Sequence, residues 1–192
     1  MVNVNWYKGA QAFIDAVASS TPAPGGGAAG AICAASAAAL AMMAIGITLK
    51  RSDLSAEQKH SLNEALDVLY NLKESLLSSA QEDAKAYEKV ISASKLPKTS
   101  KERPIFLQET LKQAALVPVK CAQDSLEVLK QLESAEKHIS KTIISDVSCA
   151  KKLLQAALFC CIENIKANQI YIKDEAFKKE LEKNINFIKK FC

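Results

Sequence analysis

Residues 25–49 read GGGAAGAICAASAAALAMMAIGITL, and no charged residue interrupts the 23 positions from Gly27 to Leu49. A run of that length is long enough to span a bilayer. Its content argues against that use, because Ala, Gly, Ser and Thr outnumber the few Ile, Leu and Met, and the transfer energy per residue is weak. A signal peptide fits no better. Asp15 and the turn from Pro22 to Gly27 break the region where an apolar stretch should follow a basic start. The stretch is therefore read as a buried helix that begins at the glycines and ends near Lys50. Its small side chains let neighbouring backbones come close, which puts it in the middle of a helical bundle.

The flanking chain keeps a helical period with almost no β-branched alternation. Tyr7 to Ser19 is expected to form a helix with Phe13, Ile14 and Val17 as its apolar stripe, ending before Ser20-Thr21-Pro22-Ala23-Pro24. After the break at Arg51 to Ser55, Ser55 with Gln58 resembles a capping box. It opens a long helix over Ala56–Ser94, in which Leu62, Leu66, Leu69, Leu72, Leu76 and Leu77 recur at three- and four-residue steps. A helix from Ile105 to Leu132 carries Pro118, which removes one backbone hydrogen bond and should bend it. Ser145, as N-cap, starts a helix to about Lys173, and an amphipathic helix from Asp174 to Phe191 closes the chain. The fold class is all-α: one helical-bundle domain over residues 1–192, with no repeat or linker to divide it.

Composition narrows the function classes. With 49% hydrophobic residues the chain can build a real core. A formal net charge of +4 and only 6% aromatics leave no footprint of a nucleic-acid binder with stacking platforms. The mild basicity suits an anionic small molecule. Six cysteines without CxxC spacing, beside only His60 and His138, signal neither a zinc site nor a disulfide framework. They read as reduced, mostly apolar-packing residues of a cytosolic protein.

Four groups of residues could carry chemistry. Pro24, Gly25, Gly26 and Gly27 lead straight into a helix, so exposed N–H groups and the helix dipole can hold a carboxylate, a carbonyl or a polar ring edge. The same glycines also suit a tight loop that only permits close packing. Asp83 and Tyr87, four apart, offer a carboxylate and a phenol to one side, although such charged helix faces are usually just solvated. Lys95 and Lys98 flank a rigid turn at Pro97 and can pair with carboxylates, or be ordinary surface lysines. Asp146, Asn164 and Asn168 line roughly one face of a helix, and uncharged amides in an apolar stretch need partners if buried.

Taken in order, Ser20 to Gly27, Asp83-Ala84-Lys85-Ala86-Tyr87, Lys95 to Lys98, Val117-Pro118-Val119, Ser145-Asp146-Val147 and Glu163-Asn164-Ile165 with Asn168 resemble the cyclodeaminase domain of formimidoyltransferase-cyclodeaminase and the free-standing methenyltetrahydrofolate cyclohydrolases. The resemblance runs over about residues 8–178. It implies a helical bundle that forms a homodimer or larger homo-oligomer in the cytoplasm, with a folate groove at the subunit interface and no membrane or nucleic-acid partner. It implies either ring closure of 5-formimidoyltetrahydrofolate with loss of ammonia, or hydrolysis of the 5,10-methenyl form. Tetrahydrofolate serves as the substrate carrier, without a metal or other cofactor. Asp83 would be the acid/base, Asp146 the second carboxylate and Tyr87 a donor. Pro24, the three glycines, Ser145, Asn164 and Asn168 would bind substrate, with Lys50, Lys95 or Lys98 on its glutamate tail. Ala28 stands where relatives commonly have Ser, and Gln81 where they carry an acid. Those two positions keep a second expectation open, a folate-binding or assembly module of the same fold without turnover.

Overall fold

The computed structural model describes residues 5–192 and, among them, contains helices and no strand. They are α1 (Trp6–Val17), α2 (Gly26–Thr48), α3 (Ala56–Ser94), α4 (Arg103–Glu136), α5 (Ile144–Gln169) and α6 (Glu175–Ile188), with single 3₁₀ turns at Lys141–Ile143 and Lys189–Phe191. Helices α2, α3, α4 and α5 form a closed four-helix bundle in which α2 packs on α3 and α5, and α4 completes the ring. Short connections make successive helices antiparallel. One pole of the bundle therefore collects the start of α2, the end of α3, the start of α4 and the end of α5.

Alanine makes this arrangement possible. Ala28, Ala34, Ala37, Ala38, Ala41 and Ala44 are fully buried, so α2 is held by backbone proximity where bulkier helices interlock large side chains. Half of its most apolar window is enclosed by the bundle. Leu62, Leu69, Leu76, Leu132, Leu154 and Leu158 fill the space around it. Leu77 departs from the expected stripe and is exposed, because it lies about 100° around the helix from the buried Leu76.

Helix α3 has the expected bounds, and its capping box is complete: Ser55 Oγ accepts from the Gln58 N–H (3.2 Å) while the Ser55 N–H donates to Gln58 Oε1 (2.9 Å). Helix α4 runs through Pro118 and continues past Leu132 to Glu136, since Ala135 still faces the core. Ser145 is not the N-cap of α5. It sits inside the first turn, while Ser140 upstream caps the 3₁₀ turn that feeds the helix. At the other end α5 stops at Gln169, short of Lys173. Gln108 of α4 clamps the following segment, donating to the Tyr171 carbonyl (3.0 Å) and accepting from the Lys173 N–H (2.7 Å). Helix α1 stands apart: Phe13 packs against the core, but Ile14 is 60% exposed.

A candidate active site at the buried N-terminus of helix α2

Three successive glycines cannot cap a helix with a side chain, and Gly25, the N-cap of α2, makes no such bond. The orphan N–H groups of the first turn still need acceptors. Asp83 supplies one from α3: its Oδ2 accepts from the Ala28 N–H at 3.1 Å, across 55 positions of sequence. Gly27 permits the approach. A Cβ there would lie 2.6 Å from the Asp83 Cγ, inside van der Waals contact. No described glycine has positive φ, so close packing is what requires glycine here.

The Asp83 carboxylate is pulled in two directions. Burial raises its pKa above the ordinary carboxylate value, and the Ala28 N–H partly offsets this by favouring the charged form. A half-buried carboxylate with an elevated pKa facing a cavity is suited to accept a proton and return it.

That cavity has a volume of about 280 Å³. Pro22, Ala23, Gly25 and Gly26 form one wall, Asp83, Ala86 and Tyr87 of α3 a second, and Asn164 and Asn168 of α5 a third. The loop wall is braced locally, with Thr21 Oγ1 donating to the Ala23 carbonyl (3.0 Å) and sharing a hydrogen bond with Ser19 Oγ (2.6 Å). The Ala23–Pro24 peptide is cis. Both asparagines donate backwards along α5, Asn164 to the Cys160 carbonyl (2.8 Å) and Asn168 to the Asn164 carbonyl (3.0 Å). A carbonyl only accepts, so each amide nitrogen spends one of its two N–H groups on the helix and each amide oxygen is left as an acceptor for a ligand N–H.

The structure thus brings together the glycine loop, Asp83, Tyr87, Asn164 and Asn168. Pro24 and Gly27 do not line the cavity, and exposed Lys95 and Lys98 stand at the same pole without lining it. Lys50, Ser145 and Asp146 do not join them within one chain. Asp146 lies 18 residues from Asn164 along α5, about 27 Å away at the opposite pole. Sequence reasoning missed Leu111 and Ala114 of α4, and Tyr171 after α5, all on the cavity wall. Small or apolar residues on a helix carry no chemical signal, and Tyr171 is held by the Gln108 clamp and by its own N–H to the Asn168 carbonyl (3.3 Å). Gln81 is exposed and off the cavity, so its side chain takes nothing from the wall.

Fold and site together define a helical-bundle protein with a single carboxylate seated on a buried helix N-terminus, in a pocket suited to proton transfer. A sequence model of the formiminotransferase-cyclodeaminase family matches residues 9–187, and the chain belongs to that family. It is 32% identical to a methenyltetrahydrofolate cyclohydrolase of Methylorubrum extorquens, over 91% of this chain and 86% of that protein. It is 29% identical to the formimidoyltransferase-cyclodeaminase of Rattus norvegicus over 92% of this chain, but spans only 33% of that longer protein. The solved structure of formiminotetrahydrofolate cyclodeaminase from Thermotoga maritima superposes with a TM-score of 0.85 at 29% identity, covering 94% of this chain and 88% of the other.

Proposed function

We propose that this protein is a folate one-carbon enzyme, acting as a 5-formimidoyltetrahydrofolate cyclodeaminase or a 5,10-methenyltetrahydrofolate cyclohydrolase. The observation that carries the reading is the Asp83 carboxylate, raised by burial and held by the Ala28 N–H at the mouth of the glycine loop.

Either reaction needs one proton removed and one delivered. In cyclodeamination N10 attacks the carbon of the protonated formimidoyl group (N5–CH=NH2+) and loses its proton, and the resulting NH2 group gains one and leaves as ammonia. In hydrolysis water adds to the methenyl carbon and loses one proton, N5 takes one as its bond to that carbon breaks, and the remaining hydroxyl proton is released as the formyl C=O forms. A carboxylate whose pKa sits above the ordinary range can serve as base and then as acid in either sequence. The amide oxygens of Asn164 and Asn168 suit the N–H edge of a pterin, and Tyr87 supplies a hydroxyl across the pocket.

We infer further that the protein works as a homodimer. The outward face of α2, with Ser36, Ala39, Met43 and Ile47, carries no charge and leaves Met43 and Ile47 exposed at 40% and 38%. A cavity of 280 Å³ also falls below the ~300–1,000 Å³ of sites that enclose drug-sized ligands, which supports a site completed by more than one wall. A second copy packed antiparallel along α2 would set its opposite pole, with Lys50, Ser145 and Asp146, beside this cavity.

The test follows the near-ultraviolet absorbance of 5,10-methenyltetrahydrofolate, both as it is hydrolysed and as it appears from 5-formimidoyltetrahydrofolate. Catalysed turnover in either direction that Asp83→Asn abolishes is the expected result, and the faster substrate names the reaction. Saturable folate binding without product from the folded protein would select the second reading, a folate-binding or assembly module.

A further inference from the structure

A second cavity, of about 560 Å³, lies along the outer groove between α3 and α4. It meets the Asp83 cavity at Ala86, which lines both.

Lys85 and Lys89 line this groove one helical turn apart. Their charges are uncommitted among the described residues, whereas Lys73, Lys112 and Lys120 on the same two helices are paired with Glu74, Asp174 and Asp124. Residues spaced i and i+4 hold their side chains about 5–6 Å apart at the base, close to the separation of the two carboxylates of a glutamyl group. On the opposite wall Phe106 is 44% exposed, and Val117 adds an aliphatic side chain about three helical turns further along α4. Glu82 and Glu109 on the rim disfavour a bare polyanion but accept from amide N–H groups. The lining therefore matches an aromatic ring joined through an amide to a dicarboxylic acid.

We propose that the α3–α4 groove is the subsite for the aminobenzoyl-glutamate half of the substrate, with Lys85 and Lys89 pairing its carboxylates and Phe106 covering its ring. This rests on the folate reading, under which the reacting half occupies the Asp83 cavity and the remainder crosses Ala86. It moves the tail away from Lys50, Lys95 and Lys98, none of which lines either cavity.

Steady-state kinetics with 5,10-methenyltetrahydrofolate test it, with p-aminobenzoylglutamate as competitor. The double variant Lys85→Gln/Lys89→Gln is expected to raise KM roughly tenfold, with the loss in KM and not in kcat, and to abolish the competition. Lys59→Gln/Lys183→Gln, which removes the same charge at exposed positions outside both cavities, is expected to leave both unchanged. Normal KM in the Lys85/Lys89 variant overturns the subsite while the folate reading stands. If the wild-type protein turns over neither folate, the folate reading fails, and calorimetric titration with p-aminobenzoylglutamate alone decides the groove. Binding that the double variant loses upholds it; equal binding, or none to the wild type, overturns it.

Discussion

Asp83 serves two masters, and the conflict between them is measurable. As a cap it bonds the first turn of α2; as a half-buried carboxylate it resists ionisation. Because its folded pKa is raised, its contribution favours the fold fully below the unfolded value, near 3.9, and is lost as pH rises through the higher folded value. Asp83→Asn cannot ionise, so it is expected to melt no lower than the wild type at pH 7, with any gap closing near pH 3. A melting point several degrees lower at pH 7 would mean that the carboxylate is kept chiefly as a cap. The adjacent glycines separate packing from chemistry. Gly27→Ala forces the Asp83 carboxyl aside and is expected to cost about 1–3 kcal/mol along with most of the activity. Gly26→Ala meets Asn164 at an ordinary 3.6 Å, so denaturation should find it within about 0.5 kcal/mol of the wild type.

At the scale of elements, the bundle depends on how near α2 approaches its neighbours. A Cβ on Gly30 would come within 2.7 Å of the Cys160 Cβ on α5, so Gly30→Ala pushes two core helices apart. Urea denaturation should place it about 1–3 kcal/mol below the wild type. Ser55→Ala removes half of the capping box of α3 and is expected to cost about 1 kcal/mol in the same assay. The two cases differ in legibility. The bounds of α3 followed from a cap and a leucine period, both local. The ends of α5 did not, because Ser140 captured the cap role and Gln108 pulled the chain off helically before Lys173. The stripe of α1 was likewise readable as a pattern, but the pattern is silent on what covers Ile14.

Over the whole molecule the two poles hold different halves of the expected constellation. Asp83, Tyr87, Asn164 and Asn168 share one, and Asp146 lies about 27 Å off at the other. If a second copy reunites them along α2, Met43→Glu/Ile47→Glu should sediment as a monomer with unchanged helicity and greatly reduced turnover. A variant that keeps the wild-type mass and activity would place any interface elsewhere. The amino-acid sequence by itself determined the class of fold, the extent of most helices and the buried place of α2. Each of these rests on short-range rules: periodicity, capping, and the small volume of alanine. Only tertiary structure decided which candidates share a cavity, that Asp83 accepts from Ala28 in the first turn of a helix 55 positions earlier, that Leu111, Ala114 and Tyr171 complete the wall, and that Asp146 does not. Those facts depend on how helices of particular length and direction meet at a pole, and no local pattern encodes that distance.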